Sequence, residues 1–226
     1  MNDIEMYYET HGQGIPLVMI GGLGLDVSEM GTLIGPLAER FRVVVVDNRG
    51  AGRSSKPRGP YSIELMAGDV AGLMDRLDLP HAHVLGISMG GRIAMALTLA
   101  HPERVDRLVL ISTAPRAAGA RWLLRLGMLV ANVPVLRGDH RQPRYAMKAQ
   151  FDATTRFNCT DHLSEIGGPV LILHGTSDHV APVALAEDMH ARLPDSRLVL
   201  AEGGHLFAFT GQWARYADDV AAFISG

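Results

Sequence analysis

The chain has 226 residues, of which 47% are hydrophobic and 20% charged, and its formal net charge is −3. That length suits a single domain (1–226) with room for a small insertion, and the acidic balance argues against a general nucleic-acid binder, which is usually basic. The lone cysteine, Cys159, excludes an internal disulfide. The acidic start at residues 1–5 lacks the apolar core of a signal peptide, and the longest apolar stretch, 122–136, is interrupted by Arg125 and Pro134, so the expectation is a cytoplasmic chain with no membrane span.

Residues 4–9 alternate in polarity and predict an edge strand. Residues 15–20 predict a buried strand that runs into Gly21-Gly22-Leu23-Gly24. Over 27–40, Met30, Leu33, Ile34 and Leu37 share one helical face. Residues 41–46 are β-branched and apolar throughout, as in a strand covered on both faces. Ser62 suits the N-cap of a helix reaching Leu77. A strand over 83–87 leads into Gly86-Ile87-Ser88-Met89-Gly90-Gly91 and a helix over 92–100, and a further strand covers 105–111. Residues 114–164 break the rhythm and read as a helical lid inserted into the domain. The alternation then resumes with a strand at 169–174, a helix near 181–193, a strand at 197–201 and a last helix near 212–225. Alternating β and α elements imply a mostly parallel sheet covered by helices on both faces.

The turn at Ser88 carries the strongest chemical signal. A serine between strand and helix, with glycines two residues to either side, has its hydroxyl lifted clear of the sheet, where the helix dipole points at it. An ordinary βα turn would look the same, so the partners decide. Serine needs a base, and of ten histidines His205 stands in a tight loop directly after a strand, where ligands of α/β sheets gather. The acid that orients it is Asp178, which ends a turn after the 169–174 strand; an Asx-turn or N-cap role is the ordinary alternative for such a residue. The other place for that acid, after the 105–111 strand, holds Ser112-Thr113-Ala114 and no carboxylate. Backbone N–H groups of Leu23 and Met89 suit an oxyanion hole. Dinucleotide binding is disfavoured, because Gly22-Leu23-Gly24 and Gly50-Ala51-Gly52 both lack the third glycine, at Val27 and Ser55. No paired-cysteine or H-E-x-x-H pattern suggests a metal, and no cofactor is expected.

With Gly21-Gly22-Leu23-Gly24, Asp47-x-Arg49-Gly50-x-Gly52-x-Ser54, Gly86-x-Ser88-x-Gly90-Gly91, His174-Gly175-x-x-Asp178 and Gly204-His205 in this order, the chain resembles the α/β-hydrolase superfamily. Its flavour is similar to the serine esterase and 3-oxoadipate enol-lactonase-like group. The resemblance implies a sheet of about seven strands, because the chain starts at what resembles the family's second strand. Gly21 stands where the family usually has histidine, an exchange expected to loosen the oxyanion loop.

The resemblance and the triad together suggest a serine hydrolase that cleaves a small-molecule carboxylic ester or lactone through an acyl-enzyme. C–C bond or thioester hydrolysis by the same residues, and a slow-turnover binding or signalling role, are the alternatives. Gly22, Trp122, Leu126, Val180 and Leu206 are the candidate substrate contacts. The apolar run at 122–130 must pack on something. Arg116, Arg121, Arg125, Arg137, Arg141, Arg144 and Lys148 face only Asp139 and Asp152 in that interval, which suits a solvated face or attraction of an acidic substrate. Nothing in the sequence bears on the oligomeric state.

Overall fold

The computed structural model describes residues 4–118, 140 and 142–226. Among the described residues seven strands form one sheet: β1 (Tyr8–His11), β2 (Pro16–Ile20), β3 (Arg42–Val46), β4 (Ala82–Ile87), β5 (Val105–Ile111), β6 (Val170–Gly175) and β7 (Ser196–Ala201). Their spatial order is β1-β3-β2-β4-β5-β6-β7. Every pairing is parallel except β1 with β3. The β-branched run of β3 and all of β4 and β6 are buried, as strands covered on both faces must be.

Two apolar layers lie on the two faces. One joins alternate residues of the strands, such as Val18, Val44, Val84 and Leu110, to the helices α2 (Ile63–Arg76) and α3 (Met89–Ala100). The other joins Leu17, Val43, Leu85 and Val109 to α1 (Gly31–Ala38) and α6 (Trp213–Ser225). The period-2 alternation of side chains sends neighbouring residues of one strand into opposite layers. Between β5 and β6 the described residues include α4 (Arg144–Arg156) and a 3₁₀ segment, Thr160–Glu165; α5 (Val183–Arg192) follows β6.

Two elements depart from the expected bounds for visible reasons. The edge strand is Tyr8–His11 rather than 4–9, because the backbone N–H groups of Glu5 and Tyr7 donate to the hydroxyls of Ser55 and Ser54 instead of a strand. The helix expected over 27–40 opens as a 3₁₀ turn, Val27–Met30, capped by Asp26 in a capping box with Glu29, and turns α-helical only at Gly31. The Ser62 cap of α2 is as expected: its hydroxyl accepts from Leu65 N–H at 3.0 Å. Among the described residues, no helix is long and apolar enough to cross a membrane.

Where β2, β4 and α3 converge, glycine is required by space. A Cβ at Gly90 would stand 2.1 Å from the Ile20 carbonyl oxygen, and one at Gly86 would stand 2.4 Å from that of Gly90. These contacts are with backbone, which cannot swing away. Gly90→Ala is therefore expected to lower Tm by roughly 3–10 °C, an overpacking cost of about 1–3 kcal/mol in a chain of this size. Gly35→Ala is the control: a Cβ there meets nothing within 4 Å inside α1, so helix propensity should leave Tm level or raise it. Scanning calorimetry of the two variants checks the pair, and equal Tm values would remove the close-packing argument.

Candidate active site

Ser88 sits between β4 and α3 with φ 54° and ψ −114°. A non-glycine residue in such a conformation costs on the order of 1–3 kcal/mol and persists only where its surroundings dictate it. Here they do. Ser88 N–H donates to the Ile111 carbonyl at 2.9 Å, while the Ser88 carbonyl accepts from Thr113 Oγ1 at 2.7 Å and from Gly91 N–H at 3.1 Å. Strand β5 thus grips the turn from the side, and the first turn of α3 closes it from above.

The sheet brings the three candidate residues together across 117 residues of sequence separation. Ser88 Oγ lies 2.9 Å from His205 Nε2, and His205 Nδ1 lies 2.8 Å from Asp178 Oδ2. The loops that carry the last two are zipped by backbone bonds: Thr176 N–H donates to the Ala201 carbonyl and Ser177 N–H to that of Gly203, both at 2.9 Å. Asp178 also fulfils its ordinary alternative, because Oδ1 accepts from the N–H groups of Val180 and Ala181 at 2.8 Å each. One carboxylate oxygen shapes the turn and the other faces the imidazole.

Burial pushes the Asp178 carboxyl upward, but the hydrogen bond and charge of His205 and the N–H groups of Ala181 and Val180 outweigh it, so the group is held below its ordinary 3.8. His174, fully buried, stands behind this pair, with Nε2 at 2.7 Å from the Ala181 carbonyl and 3.4 Å from Asp178 Oδ2. Cys159 offers no rival nucleophile: burial pushes its thiol up to about 12.

Leu23 lies half-buried in the loop after β2, and Met89 is the buried first residue of α3. A Cβ at Gly22 would stand 3.3 Å from Ser88 Cβ, so this loop runs directly over the serine. Val180 and Leu206, beside Asp178 and His205, are exposed at 44% and 54%. Trp122, Leu126 and the apolar run 122–130 lie outside the described residues, as do Arg121, Arg125, Arg137, Asp139 and Arg141. Of the remaining basic residues, Lys148 pairs with Asp152 on α4.

The loop at 21–25 is held more firmly than Gly21 suggests. Asn48 Nδ2 donates to the Gly21 carbonyl at 2.8 Å, Leu25 N–H to that of Gly22 at 3.2 Å, and Gly24 N–H to Gln150 Oε1 at 3.1 Å. A Cβ at Gly21 would already stand 3.0 Å from Met30 Sδ, so the Met30 side chain fills the space beside that position. Asn48 and Gln150 escaped the sequence reading. Asn48 occupies a variable place within the Asp47-x-Arg49-Gly50 motif. Gln150 had a signal: with Ala146, Ala153 and Phe157 it lies on one helical stripe at core spacing, the only polar member of the four.

The α/β-hydrolase fold model matches residues 15–161. The chain belongs to the α/β-hydrolase family. The protein named "Putative carbamate hydrolase RutD" of Azorhizobium caulinodans is 31% identical to it, over 91% of this chain and 90% of that one. The 3-oxoadipate enol-lactonase 2 of Acinetobacter baylyi is 29% identical over 90% of this chain and 87% of its own. The crystal structure of the enol-lactonase from Burkholderia xenovorans LB400 superimposes with a TM-score of 0.86 at 26% identity, covering 100% of this chain and 98% of the other. The expected fold and its enol-lactonase-like relatives are both borne out.

The depressed Asp178 carboxyl makes a prediction about acid. A carboxyl held lower in the folded state than in the unfolded one stabilises the fold above the unfolded value, and that contribution is lost as pH falls through the folded value. The stability advantage of the wild type over Asp178→Asn is expected to be full at pH 6–7 and to shrink below pH ~4. Urea unfolding of both proteins across pH 2.5–7 measures it; a gap that stays constant into acid would contradict the sign.

Proposed function

We propose that the protein is a serine hydrolase that cleaves a carboxylic ester or lactone of a small molecule, with Ser88 as nucleophile, His205 as general base and Asp178 as the acid that orients it. The reading rests on one observation above all: the unbroken chain of contacts from Ser88 Oγ through His205 to Asp178, at 2.9 and 2.8 Å. With Nδ1–H donating to Asp178, Nε2 is free to take the serine proton as Oγ attacks the acyl carbon. The tetrahedral oxyanion is met by the N–H groups of Leu23 and Met89, the latter at the positive end of α3. His205 then hands its proton to the departing alcohol oxygen, and water attacks the acyl-enzyme by the same route in reverse. For a lactone the alcohol remains tethered to the acyl group.

Residues 114–164 act as a lid in this reading, and Val180 and Leu206 form an apolar rim at the mouth, facing the acyl portion. Names of relatives support the bond class in two ways: an enol-lactonase favours lactones, and RutD favours a carbamate as the second reading. The same three residues serve both, since a carbamate carbonyl passes through the same tetrahedral oxyanion.

Ser88→Ala is expected to lower ester turnover by about 10⁴-fold or more and to abolish fluorophosphonate labelling while Tm stays near that of the wild type. Retained labelling would remove Ser88 from its role. A p-nitrophenyl acyl series tests the rim: kcat/KM should climb by about 0.8 kcal/mol per methylene over the first carbons and then fall. A flat profile would dismiss the apolar pocket, and hydrolysis confined to aryl carbamates would select the second reading.

A further inference from the structure

Gln150 is fully buried on α4, and its amide is used at both ends. Its Oε1 accepts from Gly24 N–H at 3.1 Å, and its Nε2 donates to the Arg49 carbonyl at 2.7 Å. Both partners have surroundings of their own. Arg49 is anchored through its guanidinium, which donates to both carboxylate oxygens of the buried Asp69 at 2.8 and 2.7 Å. Gly24 adopts φ +74°, and a Cβ there would stand 2.6 Å from Met147 Cε, one turn before Gln150 on the same helix. The loop that carries Leu23 N–H is therefore pressed against α4 and bonded to it immediately after that residue.

The same helix is tied to the other side of the site. Arg92, on α3 four residues after Ser88, is buried and donates to the carbonyls of Ala114 at 3.1 Å, Arg116 at 3.0 Å and Thr154 at 2.6 Å. Thr154 is on α4, four residues after Gln150. Two oxyanion donors are useful only at a fixed spacing, because the stabilisation they supply depends on being aimed before charge develops. Here Leu23 sits on a loop and Met89 on a helix, two elements separated by 66 residues in sequence. Helix α4 joins them: Gln150 reaches the loop and Arg92 reaches back from the helix of Met89.

We propose that Gln150 is a positioning residue for the oxyanion site, holding Leu23 N–H in place through Gly24 while α4 serves as the strut that sets its distance from Met89 N–H. This rests on the serine-hydrolase reading above. An amide suits the task because it presents an acceptor and a donor without charge, whereas a carboxylate would set a buried charge beside the Arg49 carbonyl with no donor to offer it.

The test uses the full-length protein, with active sites counted by fluorophosphonate titration so that unfolded molecules do not enter kcat. Gln150→Met keeps the length without the amide; Gln150→Asn keeps the amide but is one methylene too short for both contacts. Each folded variant is expected to lose roughly 10- to 100-fold in kcat on a p-nitrophenyl ester with KM changed by less than about threefold. Affinity for a trifluoromethyl ketone, whose hemiketal oxygen mimics the oxyanion, should fall in proportion to kcat/KM. Gln150→Glu, which keeps the length and the oxygen facing Gly24 N–H, should recover part of both. A lowered Tm with wild-type kcat and inhibitor affinity in whichever of Gln150→Met and Gln150→Asn folds would overturn the proposal, as would a loss confined to KM. Turnover surviving in Ser88→Ala would remove the catalytic reading and the proposal with it. Turnover lost in Ser88→Ala but intact in the Gln150 variants would remove the proposal alone.

Discussion

A Cβ at Gly90 would come within 2.1 Å of the Ile20 carbonyl, and much of the site follows from the fact that no Cβ is there. The missing atom lets α3 start directly against the end of β2. That approach forces Ser88 into its positive φ, because the chain must reverse from strand to helix within one residue. It also leaves the loop after β2 so near the serine that a Cβ at Gly22 would stand 3.3 Å from Ser88 Cβ. The strain at Ser88 is sustained by neighbours that have no freedom of their own: β5 through Ile111 and Thr113, and the helix through Gly91. Energy stored at one residue is held there by one strand, the segment just after it and a helix, which is how a rigid scaffold maintains a conformation that an isolated peptide would abandon.

The parallel sheet explains why the three candidate residues meet. Each stands at the carboxyl end of a strand: Ser88 after β4, Asp178 after β6, His205 after β7. Strands running the same way deliver all such ends to one edge, so residues far apart in sequence need only short loops to converge. Backbone bonds between the Asp178 and His205 loops then fix what the sheet has brought close. The carboxyl of Asp178 is held low although it is buried, which means that its partners more than offset the loss of water.

This logic makes the architecture and the three candidate residues legible in the sequence. Glycine spacing around Ser88, the strand-loop positions of Asp178 and His205 and the apolar runs of β3 and β6 are local signals, each visible in a window of about ten residues. Element edges were less legible where side chains compete for backbone groups. The hydroxyls of Ser54 and Ser55 take the N–H groups of Tyr7 and Glu5, shifting β1 by several residues, and no window around residue 5 contains that information. The supports of the loop at 21–25 were hidden for the same reason. Asn48 and Gln150 lie 27 and 126 residues from the groups they bind, and a polar residue's partner cannot be found from its own neighbourhood.

Gly21 shows how far such distant contacts change a local inference. Taken alone, a glycine in place of a larger residue frees the backbone and argues for a loose loop. In the fold, Met30 fills the space beside it, Asn48 takes its carbonyl, and Gln150 takes the N–H three residues on. The glycine's freedom is removed by neighbours rather than by its own side chain. Both amides reach the loop from elements outside it, one after β3 and one on α4, so its conformation depends on how those elements pack. If the serine-hydrolase proposal holds, a substitution in α4 that never touches substrate can thereby alter the group that faces it; what the contacts themselves tie together is the loop beside Ser88 and a helix more than fifty residues away in the chain.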